Sequence, residues 1–218
     1  MKKYIFITLI LLCSTNSFAK KDKNKNHHYP LDKISLSGLS WRSIGPSLTS
    51  GRISDLAINP DKPFEYYVAV SSGGVWKTEN AGTTWQSIFE GQGTFAAGCV
   101  TIDPNNPSTV WVGTGENVGG RHIAFGDGIY KSTDGGKSWN NMGLPNSEHL
   151  SKIIVHPNNS EVVWVASQGP LWNSGGDRGV YKTTDGGKNW KKVLGDNVWT
   201  GATDLLIDPR NADVLYAA

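Results

Sequence analysis

Cysteine is almost missing from this sequence. Only two of the 218 residues are Cys, and Cys13 lies in an apolar N-terminal run that we expect to be removed. Cys99 is then left without a partner, which excludes an internal disulfide. The fold must therefore be held by packing, even in an oxidising compartment.

Amphipathic helical patterns and an excess of charge are also missing. No long stretch has an apolar period of 3.6 residues, so we expect few helices. Lys and Arg number 21 and Asp and Glu 19, without a basic patch, which argues against nucleic acid as a partner. The sequence has no Cys pair, His-x-x-x-His or dense acidic loop, so we expect no metal and no other cofactor.

The first nineteen residues have the pattern of a secretory signal peptide. Two lysines precede an apolar run over residues 4–12, which is too short to span a bilayer. Small residues at Ser17 and Ala19 form a cleavage site. Residues 20–40 are polar and basic and predict a flexible leader. We expect an exported protein, periplasmic, at the cell surface or secreted, without a membrane span.

Glycine and tryptophan, in contrast, are abundant, with 26 and nine copies. This composition suits short strands joined by tight turns. A repeat is visible from residue 51 onwards, because apolar runs end at Pro60, Pro104, Pro157 and Pro209. Each proline is followed by a polar turn and then by a second run rich in aromatic and β-branched residues.

Each unit reads as four short strands, a to d, that recur about every 50 residues. This pattern predicts the four-stranded antiparallel blades of an all-β β-propeller. In the second unit we expect strands over residues 98–102, 109–114, 128–132 and 138–142. Blades are predicted at 51–91, 97–143, 150–195 and, incompletely, 201–218. Residues 41–218 would then form about three and a half blades, a partial propeller whose remaining blades come from missing sequence.

A repeated decapeptide with the pattern Ser/Thr-x-Asp-x-Gly-x-x-Trp forms the predicted turn between strands c and d. The Asp can accept hydrogen bonds from backbone N–H groups of the turn, Gly allows positive φ, and Trp can pack against the neighbouring sheet. The first copy has Asn in place of Asp, so the turn does not require a charge. The structural residues of the three copies are Thr78, Asn80, Gly82, Trp85, Ser132, Asp134, Gly136, Trp139, Thr183, Asp185, Gly187 and Trp190.

These copies match the Asp-box, or bacterial neuraminidase repeat. Residues 41–218 resemble the sortilin-type ten-bladed propeller family and its exported bacterial relatives, through stretches such as GRISDLAINP, VWVGTGE and GDGIYKSTDGGKSW. The resemblance implies the fold. It implies a glycosyl hydrolase only by analogy with sialidases and xyloglucanases, because the box indicates fold rather than chemistry.

Function is expected in the variable loops that join strand d to a and strand b to c, on the face opposite the repeated turns. Their polar and aromatic side chains could bind a ligand, and the same groups could instead satisfy loop backbone or pack beneath it. The candidate ligand-binding residues are Arg52, Glu116, Arg121, His122, Asp127, His149, Trp172, Arg178 and Trp199.

Two functions are compatible with these loops. The first is a binding or assembly module for a peptide, protein or glycan. The alternative is a glycoside hydrolase of xyloglucanase or sialidase type, which needs two carboxyl groups roughly 5–10 Å apart. Glu116, Asp127 and Asp177 are the candidate acids and bases, and no spacing among them demands a pair.

Overall fold

The computed structural model describes residues 51–117 and 123–218, together with Ser35 and Gly38. The chain divides into two units, residues 1–45 and 46–218, and all strands named below belong to the second. Apart from Ser35 and Gly38, the predicted signal peptide and leader lie outside the described residues, as do Arg121 and His122.

The described residues form strands and no helix, arranged as three four-stranded antiparallel sheets and one two-stranded sheet. Strand order within each sheet follows the sequence, so neighbouring strands are joined by turns or loops. The prediction of an all-β fold with four-stranded antiparallel blades is confirmed. The strands are β1 (Ile53–Ile58), β2 (Tyr66–Val70), β3 (Gly74–Thr78), β4 (Gln86–Ser87), β5 (Ala97–Asp103), β6 (Asn106–Thr114), β7 (Ile129–Ser132), β8 (Asn140–Asn141), β9 (Leu150–His156), β10 (Asn159–Ser167), β11 (Gly179–Thr183), β12 (Lys191–Leu194), β13 (Leu205–Asp208) and β14 (Asn211–Ala217).

The hydrophobic core lies between successive sheets rather than in one central cluster. Tyr67 and Phe89 of the first sheet region pack with Val112 of the second. Trp111 of the second sheet packs with Leu150 of the third, and a third cluster joins the third sheet to β13. Face-to-face packing of this kind is how propeller blades bury their apolar surfaces. No described residue belongs to a helix long and apolar enough to cross a membrane.

In each copy of the repeated turn, the Ser or Thr hydroxyl accepts from the Gly N–H and donates to Oδ1 of the Asp or Asn, which also accepts the N–H four residues later. In the second sheet Ser132 Oγ accepts from the Gly136 N–H at 2.8 Å and donates to Asp134 Oδ1 at 2.7 Å. Asp134 Oδ1 also accepts the N–H groups of Lys137 and Ser138, both at 2.9 Å. Gly136 has φ +89, which a residue with a Cβ rarely adopts.

The first copy builds the same turn without a charge. Asn80 Oδ1 accepts the Thr84 N–H at 2.8 Å, and Thr78 Oγ1 accepts the Gly82 N–H at 2.8 Å. The amide nitrogen of Asn80 donates to Thr84 Oγ1 at 2.8 Å, in the place of an acceptor carboxylate oxygen.

The outer strand is shorter than predicted. We expected residues 138–142 in the second sheet, whereas β8 covers only Asn140–Asn141. The reason lies in the turn, since the Ser138 N–H is bound by the Asp134 carboxylate and is not available to the ladder.

The turn of one sheet is bound to the sheet before it. Tyr67 donates its hydroxyl hydrogen to the carbonyl of Gly135 at 3.2 Å. In the next sheet Lys131 lies 4.8 Å from the centre of the Trp111 ring and donates to the carbonyl of Gly186 at 3.1 Å. A side chain of one sheet therefore holds the turn of the next sheet by its backbone.

Candidate functional site

The variable loops form a continuous surface, which we call the loop face. It comprises residues 71–73, 88–96, 115–117, 123–128, 142–149, 168–178 and 195–204. Thr94 Oγ1 donates to the Phe125 carbonyl at 2.8 Å, and the Gly126 N–H donates to the Glu148 carbonyl at 2.8 Å. The β10–β11 loop and the β12–β13 loop are joined in the same way, because the Gly175 N–H donates to the Val198 carbonyl at 2.8 Å. Successive loops are thus bonded to one another.

Four large aromatic side chains are exposed on this face. Trp172 is 65% and Trp199 68% exposed, and Phe95 and Phe125 are 62% and 56% exposed. They lie on four different loops. Trp172 and Trp199 were candidates from the sequence. Phe95 and Phe125 were missed, although each is an aromatic residue in a variable, glycine-containing loop.

Arg178 was predicted as a ligand contact, but its side chain is buried and bonded within the protein. It is only 4% exposed, and all five of its N–H donors point to backbone carbonyls. Nε donates to Gly175, Nη1 to Gln168 and Trp199, and Nη2 to Pro170 and Asn173, over 2.6–3.3 Å. No donor is left for a ligand, and the geometry is that of a residue that ties two loops together.

Arg52, which directly precedes β1, forms an ion pair with Glu116 of the β6–β7 loop. Arg52 Nη2 lies 2.5 Å from Glu116 Oε2. The Glu116 side chain is 4% exposed, whereas that of Arg52 is 60% exposed. Arg52 therefore keeps an accessible edge, and the Glu116 carboxylate, predicted as a ligand contact or acid, faces its own protein.

His149 lies just before β9, as Arg52 lies just before β1. It is fully buried, so its side chain is not accessible as the ligand contact that the sequence predicted. Its ring lies 5.6 Å from that of Phe125, and neither ring nitrogen has a hydrogen-bond partner among the described residues. Burial lowers the pKa of His149, because the charged imidazolium is poorly solvated there.

Asp127 is bound by groups of its own sheet. Its Oδ2 accepts the Tyr130 hydroxyl at 2.7 Å, and its backbone N–H donates to Thr114 Oγ1 at 2.9 Å. Burial raises the pKa of Tyr130, and the hydrogen bond to Asp127 raises it further. Asp127 therefore serves to fix the β6–β7 loop.

An open groove of about 560 Å³ separates the β8–β9 and β10–β11 loops. Asp177, the third candidate acid, lies in it and accepts the Asn146 N–H through Oδ2 at 2.9 Å. Glu148 also faces the groove and was not singled out in the sequence. Its carboxylate has no partner among the described residues. The groove is lined by Pro145, Asn146, Glu148, Pro170, Asn173, Ser174, Gly176 and Asp177.

No described group of three His, Cys, Asp or Glu side chains is placed to hold a metal ion. Positions 121 and 122, two of the predicted ligand contacts, cannot be located within the described residues. Among the described candidate residues with charged side chains, Arg52 is 60% exposed, and Asp177 lies in the open groove.

Comparison with known proteins places these features in a familiar architecture. No protein-family model matches the sequence. A probable oligoxyloglucan-reducing end-specific xyloglucanase of Neosartorya fischeri is 27% identical over 110 residues, 49% of this chain and 12% of the relative. The oligoxyloglucan-reducing end-specific xyloglucanase of Emericella nidulans is 21% identical over 214 residues, 89% of this chain and 23% of the relative. The chain therefore spans at most a quarter of these relatives.

Solved structures agree on the fold. An ancestral GH74 enzyme superposes with a TM-score of 0.61 at 22% identity, over 77% of this chain and 22% of its own. The GH74 enzyme of Niastella koreensis gives 0.58 at 25% identity, over 74% and 24%. YCF48 bound to D1 peptide gives 0.51 at 17% identity, over 74% and 46%. This chain is part of a β-propeller.

Proposed function

We propose that this chain is the loop-bearing part of an exported β-propeller that binds a glycan across its loop face. The observation that carries the proposal is the exposure of Trp172 and Trp199, with Phe95 and Phe125, on loops that are bonded to one another. Large aromatic side chains left in solvent on one face of a protein are typical of a binding surface.

A glycan suits these side chains chemically. One face of a pyranose ring carries C–H groups and is apolar, so it can pack on a flat indole while the hydroxyl groups stay in water. Indole also offers an N–H donor at its edge. Arg178 links the loops of Trp172 and Trp199 through five backbone carbonyls, which fixes the backbone that carries both rings before a ligand arrives.

The relatives supply the class of ligand. The curated proteins that match this chain are named as xyloglucanases, and xyloglucan is a neutral polysaccharide. We carry over the class of ligand and not the reaction, because the chain covers only a small share of each relative.

Binding is favoured over hydrolysis because each of the three candidate catalytic carboxylates already has a partner within the protein. Glu116 is paired with Arg52, Asp127 accepts from Tyr130, and Asp177 accepts from the Asn146 backbone. A glycosidase needs two carboxyl groups that face a shared bond, whereas these three each have a partner within the protein. A glycoside hydrolase is the second candidate, since the relatives are named as enzymes.

The test uses the full-length protein and isothermal titration with xyloglucan oligosaccharides. Trp172→Ala and Trp199→Ala should each weaken binding at least about tenfold, the loss that corresponds to 1.4 kcal/mol. Trp85→Ala is the matched control, because Trp85 is also exposed, at 42%, but belongs to a repeated turn away from the loops. It should leave the affinity unchanged.

Two results would overturn the proposal. Equal affinities of Trp172→Ala, Trp199→Ala and wild type would show that the loop face is not the binding surface. Turnover of the oligosaccharides that collapses in Glu116→Gln or Asp127→Asn, with the fold intact, would make hydrolysis the function.

A further inference from the structure

We infer that the groove between the β8–β9 and β10–β11 loops is a saccharide subsite, in which the Glu148 carboxylate accepts hydroxyl hydrogens of a sugar bound beside Trp172. This inference rests on the proposed function, since it assigns one sugar position within the glycan-binding face. Trp172 directly precedes Asn173, which lines the groove.

The base of the groove is fixed by a reciprocal pair. Asn146 donates its N–H to Asp177 Oδ2 at 2.9 Å, and the Asp177 N–H donates to the Asn146 carbonyl at 3.0 Å. Pro145 and Pro170, whose φ angles are restricted, line the groove as well. The two loops therefore keep their separation without a ligand.

Glu148 is held in an unusual backbone conformation. Its φ is +54, in the left-handed region that residues with a Cβ seldom adopt. Its carbonyl accepts the Gly126 N–H at 2.8 Å, and Gly115 packs so closely against that carbonyl that a Cβ there would collide with it. Glycine would fit this backbone at Glu148 without strain, so a glutamate here points to a use for its side chain.

The groove offers both donors and acceptors that are unused. The Glu148 carboxylate, the Asn173 side-chain amide and the Ser174 hydroxyl have no hydrogen-bond partner among the described residues. Sugar hydroxyls both donate and accept, so they match this mixed set. A metal ion or a lysine ammonium would use the carboxylate and leave the amide N–H groups unmatched. The mixed set therefore favours a neutral polyol.

The decisive variant is Glu148→Gln, which keeps the shape of the side chain and removes one charged acceptor. Hydrogen bonds to a carboxylate are about twice as strong as neutral ones, so affinity for a xyloglucan oligosaccharide should fall about tenfold, with an unchanged melting temperature. Glu161→Gln is the control, because Glu161 is an exposed glutamate near the start of β10, outside both the groove and the loop face. It should bind as wild type does.

Glu148→Gly separates binding from folding. Glycine accepts the positive φ, so this variant should be at least as stable as wild type and still lose the affinity. A loss of binding together with a loss of stability in both Glu148 variants would mean that Glu148 acts on the fold, which would overturn the subsite.

The outcomes for the two proposals differ. If Trp172→Ala weakens binding and Glu148→Gln does not, the subsite is wrong and the glycan-binding face remains. If wild type binds no oligosaccharide, both fail. If Glu148→Gln instead weakens binding of a lysine-rich peptide while leaving oligosaccharide binding unchanged, the groove is a site for cations and the saccharide assignment is overturned.

Discussion

The indole N–H of Trp139 donates to the carbonyl of Ile88, in the preceding sheet region, across 2.7 Å. Trp190 makes the equivalent bond to the carbonyl of Met142 at 2.8 Å. In both cases the acceptor lies three residues after the tryptophan of the previous repeated turn. Trp85 of the first turn is 42% exposed and has no indole acceptor among the described residues. The chain therefore contains its own control for this bond.

Trp139→Phe should lower the free energy of unfolding by about 1–2 kcal/mol, because it leaves the carbonyl of Ile88, a partly buried residue, without its donor. Trp85→Phe should cost less than half as much. Urea unfolding of the full-length protein, followed by circular dichroism, measures both. Equal losses would mean that the indole bond does not stabilise the contact between sheets.

Two variants of Asp134 test whether the turn of the second sheet needs the negative charge or only a hydrogen-bond acceptor. Asp134→Asn should be tolerated better than Asp134→Ala, because an amide oxygen can accept the N–H groups of Lys137 and Ser138 as Asn80 accepts that of Thr84. Alanine leaves those groups without acceptors. Thermal unfolding of the two variants gives the order, and the reverse order would refute this account of the turn.

Arg178→Lys should lower the free energy of unfolding by about 2–4 kcal/mol, since a lysine ammonium cannot reach five carbonyls and leaves several of them buried without donors. Amide exchange at Gly175, whose N–H bonds the Val198 carbonyl, should accelerate. Arg210→Lys is the control, because the Arg210 side chain is 84% exposed and pairs with Asp208, so it should lower the free energy of unfolding by much less than Arg178→Lys does. A midpoint for Arg178→Lys as high as the control would contradict the structural role.

His149 should make stability depend on pH near neutrality. Its folded-state pKa is lowered by burial, whereas in the unfolded chain it lies near about 6.5. As the pH falls through that value, the unfolded state binds the proton first. The stability of the folded state is therefore present above about pH 6.5 and is lost progressively below it.

His149→Phe should flatten the fall in melting temperature between about pH 7 and pH 5, since it removes the titrating ring and keeps an aromatic side chain against Phe125. His156→Gln serves as the control, because His156 is only partly buried and accepts from the Asn158 N–H. Its pH profile should follow that of wild type. An unchanged slope in His149→Phe would show that another group controls the profile.

The fold could be predicted from the sequence because the repeat encodes it locally. The proline-bounded strands and the turns around Asp134 and Asp185 depend on residues close in sequence. The state of the loop residues could not be predicted in this way. Trp199, one of the carbonyl partners of Arg178, and Arg52, the partner of Glu116, lie far away in the sequence, so these contacts depend on which segments the fold brings together.

Glu148 was missed for the same reason. Nothing in its neighbourhood in the sequence marks a left-handed backbone, which depends on the Gly126 N–H from another loop. The placement of Trp172 and Trp199 in variable loops is visible in the sequence without knowledge of their contacts, and their role as ligand contacts stays a prediction.

The bond between Trp139 and Ile88 and the bond between Trp190 and Met142 do not depend on the number of residues between successive turns. From Trp85 to Trp139 the chain advances 54 residues, and from Trp139 to Trp190 it advances 51, yet both junctions close at 2.7–2.8 Å. The difference in length is taken up between the turns, away from the junction itself. Loops of foreign sequence could therefore be grafted between β6 and β7 or between β10 and β11 without breaking the indole hydrogen bonds between successive sheets. This property makes the chain a modular scaffold for new recognition surfaces.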